Sequence, residues 1–242
     1  VGVNTNLTYI FYSHYDYSDV WPLMFGQSDK FLKNQKKIIF SNEVGDFNTG
    51  DWEVVLYDES LPYQKRFASC LEKINDEIIM IHHEDMFLIN RPKWPEIEEI
   101  VGLIKDGAID LVKVGKASYN NFPAIKFYDN LYLNPNNLAF AIQPTIIKKK
   151  TLHAIYDKTL GASIWQFEAN AALLVDMLGL KSCYYYEGTE NKRGLYHWDS
   201  SLYPYIATAV VKGKWDFESY GDELKCLLKE YSINKNTRGV NV

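Results

Sequence analysis

Two histidines and two acids stand in a row at His82-His83-Glu84-Asp85, directly after the apolar run Ile78-Ile79-Met80-Ile81. Such a run reads as a strand buried on both faces, which suits the centre of a largely parallel sheet. Ligands of open α/β sheets sit outside the carboxyl ends of these strands. Carboxylates and imidazoles are costly to bury there unless something pairs them. A divalent cation would pair them and would also neutralise a diphosphate. Hard oxygen ligands favour Mg²⁺ or Mn²⁺, and a histidine ligand tilts the choice toward Mn²⁺. The competing reading is a solvated acidic loop after a strand. The spacing is not that of a zinc hydrolase helix.

Other chemistry-bearing residues fall at the ends of predicted elements. Ser13, His14 and Asp16 follow the first strand, Asn42 follows the second and Asp58-Glu59 the third. Arg66 lies one turn into the next helix, within reach of a phosphate or a carboxylate. Glu168 lies in the first turn of a later helix, where the macrodipole favours an acid by roughly 0.3–1 kcal/mol, so a structural role is open beside a catalytic one. Lys212 and Lys214 bracket Gly213 and can meet phosphate or flank a solvated turn. His197 is either a late metal or phosphate ligand or a surface histidine.

The elements that must carry these residues alternate as strands and helices with short connections, the pattern of a layered α/β domain. Strands are predicted at residues 8–13, 37–41, 53–57, 78–81, 110–114, 138–142 and 182–186, with a hairpin through 125–127 and 131–133. Asp19 is expected to cap a helix bearing Val20, Trp21, Met24 and Phe25. Pro62 opens a helix whose stripe is Phe67, Cys70, Leu71 and Ile74, at i, i+3, i+4, i+7 spacing. Residues 95–105 form another helix, stopped at Gly107. Ser163 caps a long helix running to about Leu178, and Asp222 starts a terminal one. Residues 187–203 read as a polar, glycine-containing loop that can close over a ligand.

Bulk properties narrow the field. The chain has 242 residues and a formal net charge of −5. Its densest basic run, Lys148-Lys149-Lys150, is too short for a nucleic-acid footprint, so no nucleic-acid partner is expected. Eighteen tyrosines, 12 phenylalanines and 6 tryptophans suit either an aromatic core or a sugar-handling cleft. Three scattered cysteines indicate neither a disulfide framework nor a zinc knuckle, and a reducing, cytoplasmic setting is expected. No apolar run approaches the ~20 residues of a membrane span.

The order of these motifs resembles the GT-A fold nucleotide-sugar-dependent glycosyltransferases. A Pro-Tyr-x-x-Arg helix (Pro62 to Arg66) precedes an apolar strand and an acidic motif, as in the donor-binding half of that family. The family writes this motif Asp-x-Asp, and here it stands as His83-Glu84-Asp85. The resemblance implies that Asp85 binds Mn²⁺ or Mg²⁺ against the diphosphate, with Glu84 or His83 assisting. Gln143 to Ile147 followed by Trp165-Gln166-Phe167-Glu168 resembles the acceptor side, and implies Glu168 as general base of an inverting transfer. The late Lys212-Gly213-Lys214-Trp215 segment resembles a phosphate-meeting strand, and His197 a late metal ligand. Ser13, His14, Asp16, Asn42 and Arg66 would line the nucleotide. One domain is implied, with a donor half to about residue 114, an acceptor half to about 215, and a C-terminal helix. The implied partners are a nucleotide sugar, by default UDP-linked, and a glycan or glycoconjugate acceptor. Two rivals remain: a metal-dependent nucleotidyltransferase or phosphoesterase, and a non-catalytic sugar- or nucleotide-binding module.

Overall fold

A computed structural model of the chain describes residues 6–117, 124–161, 163–194 and 196–241. Its centre is a nine-stranded sheet. The strands are β1 (Thr8–Tyr12), β2 (Lys36–Ser41), β3 (Glu53–Leu56), β4 (Ile78–His83), β5 (Leu111–Lys113), β6 (Ile125–Tyr128), β7 (Leu131–Leu133), β8 (Thr145–Lys148) and β9 (Ser182–Tyr185). Their order across the sheet is β3-β2-β1-β4-β8-β5-β9-β7-β6. The first four strands pair in parallel, and β9 pairs in parallel with β5. β8 runs antiparallel between β4 and β5, and the β6–β7 hairpin closes the far edge.

Side chains alternate strictly across the sheet, as period-two geometry requires. On β1, Tyr9 and Phe11 enter one core while Ile10 and Tyr12 enter the other; on β4, Ile78 and Met80 oppose Ile79 and Ile81 in the same way. The first core is covered by α1 (Trp21–Phe31), α3 (Trp94–Lys105) and α6 (Phe217–Glu230). The second is covered by α2 (Tyr63–Glu72), α4 (Lys149–Lys158) and α5 (Ile164–Met177). Ile79 and Met80 are wholly buried, and each such side chain contributes about 1.5–3 kcal/mol. A charge at either position would break the centre of the sheet.

Smaller pieces close the carboxyl end of the sheet. β10 (Lys192–Arg193) and β11 (His197–Trp198) form a short hairpin inside the predicted 187–203 loop. β12 (Val210–Val211) and β13 (Lys214–Asp216) form another, and β14 (Val240–Asn241) joins β13 in parallel. Among the described residues, no helix is long and apolar enough to cross a membrane.

The structure departs from three sequence expectations. Residues 138–142 are not a strand; a short 3₁₀ turn, Asn136–Leu138, stands there, and the sheet takes Thr145–Lys148 instead. Ala139 and Phe140 of that segment are buried, but its backbone is held by side chains: Ser182 Oγ donates to the Ala139 carbonyl at 2.6 Å and Lys113 Nζ to that of Leu138 at 2.7 Å. α1 starts at Trp21 without a side-chain cap, since Asp19 is engaged by Arg238. α6 starts at Phe217, before the expected Asp222, because Asp216 caps it by accepting from Ser219 N. Of the loose 115–137 stretch, residues 118–123 lie outside the described residues.

Candidate functional site

The chain runs β1, β2, β3 toward one edge and then returns to place β4 on the opposite side of β1. The carboxyl ends of β1 and β4 therefore flank the point where the strand order reverses, the position at which open α/β sheets bind ligands. Ser13 follows β1 there, and Glu84 and Asp85 follow β4.

Glu84 is buried and Asp85 half-buried. Burial, followed by the adjoining Asp85 charge, holds the Glu84 carboxyl well above the usual carboxylate range. Burial raises Asp85 too, against the hydrogen bonds of the Val210, Asp85 and Ala209 amides and the charge of Arg238. The Val210 amide donates to Asp85 Oδ2 at 3.2 Å, and the Ala209 amide to the Asp85 carbonyl at 3.1 Å. The turn after β4 is thus locked to the β12–β13 hairpin. What it offers is two adjacent carboxyl groups in a poorly solvated place, whose charges repel once both are ionised.

The structure does not gather Asp85, His83 and His197 into one ligand set. Among the described residues, no group of three or more histidine, cysteine or acidic side chains is arranged to hold a metal ion. His82 and His83 leave β4 on opposite faces. His82 stacks on Phe11 with ring centroids 4.5 Å apart, whereas His83 Nε2 meets the Tyr63 hydroxyl at 3.2 Å. Burial pulls His82 down to about 3 and His83 to about 4, so both are neutral near pH 7. His197 Nε2 lies 3.3 Å from Thr208 Oγ1, next to the Ala209 amide that binds Asp85. Mg²⁺ and Mn²⁺ commonly take one or two protein carboxylates and complete their shell with water and substrate phosphate. Glu84 and Asp85 fit that pattern, and their mutual repulsion is what a cation would relieve.

The residues expected to line a nucleotide fall along the mouths of β1 to β3. The Ser13 hydroxyl is buried, accepts from the Trp21 indole at 2.8 Å, and eases the Glu84 charge. His14 accepts from the Asp16 amide through Nδ1 at 3.1 Å and presents Nε2 to Glu59 at 2.5 Å. The Asp16 side chain is exposed. Asn42 Oδ1 accepts from the Tyr15 amide at 2.8 Å, which ties the β1 loop to the end of β2. Arg66 holds the carbonyls of Leu61 (2.7 Å) and Glu59 (2.5 Å), with its guanidinium over the Tyr57 ring. It therefore shapes the loop after β3. Lys212 and Lys214 are exposed on the β12–β13 turn, where Lys212 and Gly213 take φ of +51° and +78°; that two-residue left-handed geometry is what a tight hairpin needs.

Glu168 sits in a second polar cluster, in the second turn of α5 rather than the first turn expected from sequence, because the helix starts at Ile164. Its Oε1 accepts the Ile142 amide. Burial raises its pKa, opposed by that amide and by the charge of Lys113. Lys113, at the end of β5, is fully buried, and burial pulls its ammonium down to about 7 despite Glu168. Between this cluster and the acid turn lies a chain of phenols: the Tyr63 hydroxyl is 3.2 Å from that of Tyr156 and 3.2 Å from His83 Nε2.

Sequence reading missed Lys113 and Arg238. Arg238 arrives with the C-terminal segment, forks onto the Asp19 carboxylate at 2.6 and 2.5 Å, and stacks over Tyr17 at 4.6 Å. Its charge acts on both Glu84 and Asp85. Only β14 pairing with β13 brings it there, and no local motif announces that.

No family model matches the chain, and no curated protein matches it in sequence. Solved structures do resemble it. TarS from S. aureus superposes with a TM-score of 0.50 at 10% identity, over 93% of this chain and 39% of TarS. The bifunctional IspDF from Campylobacter jejuni gives 0.46 at 14% identity, over 81% of this chain and 52% of that one. A CMP:2-keto-3-deoxy-manno-octonic acid synthetase complexed with CTP gives 0.49 at 11% identity, over 74% and 88%. This chain thus spans about half of IspDF and well under half of TarS. The likeness to TarS is one of fold: an α/β domain whose mostly parallel sheet is flanked by helices.

Proposed function

We propose that the chain is a GT-A type glycosyltransferase that moves a sugar from a nucleoside diphosphate donor, by default a uridine one, to a hydroxyl of a glycan acceptor. The observation that carries this reading is the Glu84–Asp85 pair, two adjacent carboxyl groups, one buried and one half-buried, both held above the usual carboxylate range at the strand-order switch point. Glu84 and Asp85 would hold Mn²⁺ or Mg²⁺, which when bound supplies positive charge to the diphosphate leaving group. Arg238 adds a fixed positive charge on the same side. Ser13, His14, Asp16 and Asn42 shape the nucleotide end, with Arg66 setting the loop after β3. His83, bonded to Tyr63, orients the turn. His197 with Thr208, and Lys212 and Lys214 on their exposed turn, border the phosphate end.

Glu168 is the proposed base. Its raised pKa makes it a better proton acceptor near neutral pH. It takes the proton of the acceptor hydroxyl as that oxygen attacks the anomeric carbon. The bond from that carbon to the phosphate oxygen breaks, the nucleoside diphosphate leaves, and the configuration inverts. The 187–203 segment borders this side and excludes water.

Nucleotidyl transfer is favoured by one observation: the Ile142 amide already occupies a Glu168 oxygen. The two reactions release different products. Incubated with nucleotide sugars and an acceptor panel, a glycosyltransferase releases nucleoside diphosphate; a nucleotidyltransferase given a nucleoside triphosphate and a sugar phosphate releases pyrophosphate. Pyrophosphate release with no transfer from any nucleotide sugar would overturn the proposal.

A further inference from the structure

Helix α5 is apolar on both sides. Phe167, Ala171, Ala172 and Val175 face the core. The opposite side carries Trp165, Ala169, Leu173 and Met177 at four-residue spacing, all exposed, with Trp165 77% and Met177 82% accessible. A helix apolar all round belongs inside a protein, and a surface helix ordinarily turns a charged face outward. The only charged residues on this one are Glu168 and Asp176.

The stripe extends beyond the helix. Leu160, 71% accessible, stands beside the second turn of the helix, where Asn170 Nδ2 donates to the Leu160 carbonyl at 2.7 Å. Gly161 allows that approach, since a Cβ there would lie 2.6 Å from the Phe167 nitrogen. Ile164 and Leu178, at the two helix ends, lie on the core-facing side and stand outside the stripe. At roughly 200 Å² for a large apolar side chain, the exposed fractions of Leu160, Trp165, Leu173 and Met177 amount to on the order of 600 Å². That stands at the upper end of the ~300–600 Å² of the largest patch on a typical monomer. It is about three quarters of the ~800 Å² that each partner of a stable complex buries.

We infer that this face joins two copies of the chain through an antiparallel α5–α5 contact. The stripe follows the i±4 ridge of the helix, and two such ridges interdigitate in the commonest helix-packing class. It is also self-complementary about residue 171, as a two-fold contact requires. Trp165 falls opposite Met177 of the second copy, a favourable sulfur–aromatic pairing, and small Ala169 falls opposite Leu173. Neither acid meets its own kind, because Asp176 falls opposite Gln166. A membrane surface fits poorly: interfacial helices carry Lys and Arg beside their apolar face, whereas α5 has none and the chain bears a net charge of −5.

Sedimentation velocity across a dilution series tests the contact. Wild type is expected as a reversible dimer, and Leu173→Asp should weaken it by at least roughly tenfold with an unchanged far-UV spectrum and melting point. Leu56→Asp, at an exposed apolar position on β3 away from α5, should leave the dimer intact. A wild type that stays monomeric at every concentration overturns the inference, as does a dimer indifferent to Leu173→Asp or equally broken by Leu56→Asp. Wild type that floats with anionic vesicles while Leu173→Asp does not would assign the face to a membrane instead, and would equally overturn it.

Discussion

Replacing Lys113 with Met should make the protein more stable at neutral pH. Lys113 is fully buried, and burial takes its pKa from the ordinary 10.5 to about 7. At about 1.4 kcal/mol per pH unit, that fall represents about 5 kcal/mol of preference for the neutral amine. Because the folded value lies below the unfolded one, the unfolded chain binds the proton more tightly. Stability is therefore full above the ordinary lysine value and is lost as pH falls toward 7, where most of the loss, on the order of 4 kcal/mol, has accrued. Methionine has a similar volume and no charge, so Lys113→Met escapes that loss. It gives up the bond to the Leu138 carbonyl, worth about 1 kcal/mol, and leaves Glu168 without its opposing charge. The net expectation is about 2–3 kcal/mol of added stability at pH 7, a melting point higher by roughly 5–10 °C. The advantage should shrink to nothing, or reverse slightly, by about pH 10.5. Urea unfolding of both proteins at several pH values between 7 and 10.5 reads this directly. A variant no more stable at pH 7, with a pH dependence parallel to wild type, would refute the reasoning. A charge retained at such a cost points to use rather than stability, and turnover should fall in Lys113→Met because loss of the opposing charge favours the protonated Glu168, which cannot accept the acceptor's proton.

Glu168→Gln should lower transfer by about 10²–10⁴-fold while leaving donor affinity within a few-fold, as steady-state kinetics would show; an unchanged turnover removes Glu168 as base. Arg238→Ala, which frees the Asp19 carboxylate and removes the positive charge beside Glu84 and Asp85, should weaken nucleoside diphosphate binding by about tenfold in calorimetry. His82 is held near 3 by burial, so its contribution is complete above about pH 6.5 and is lost on acidification. His82→Phe, which keeps the stack on Phe11, should gain on wild type by up to about 1.4 kcal/mol per pH unit between pH 6 and 4; equal slopes for the two proteins would contradict this. The raised Glu84 and Asp85 must both lose their protons before a cation binds. Mn²⁺ affinity should therefore climb as pH rises from about 5 to 8, and a flat profile would place the ion elsewhere.

Much of the sheet is legible in the chain because its signals are local. The four apolar residues before His82 and the stripe from Phe67 to Ile74 each specify their element without help from distant parts. The position of the acid pair at the carboxyl end of β4 is legible for the same reason, since two acids directly after a buried strand have few places to lie. The strand expected at 138–142 failed because an apolar run reads alike whether its peptide groups enter a ladder or are held by side chains, here the carbonyls of Ala139 and Leu138 by Ser182 and Lys113 and the Ile142 amide by Glu168. Period alone does not separate those outcomes. Asp19 looked like a helix cap until Arg238, 219 residues away, took its carboxylate. Lys113 reads as an ordinary residue of the 110–114 strand; only the packing of α5 and the 136–142 segment over it shows an enclosed charge. Ser13, Asn42 and Arg66 were placed correctly at strand and helix ends, but their bonds to Trp21, Tyr15 and the loop carbonyls exist only once the loops have folded.

The central claim is that Glu84 and Asp85 form a metal-assisted diphosphate site. Thermal unfolding with a panel of nucleoside diphosphates, with and without Mn²⁺, tests it for wild type and Asp85→Asn. A ligand at ~100 times its dissociation constant adds about 2.7 kcal/mol, a melting-point rise of roughly 5–10 °C for a chain of this size. The account predicts that rise for at least one diphosphate, only with Mn²⁺ and only in wild type. A rise that survives Asp85→Asn, or none with any nucleotide, would contradict it.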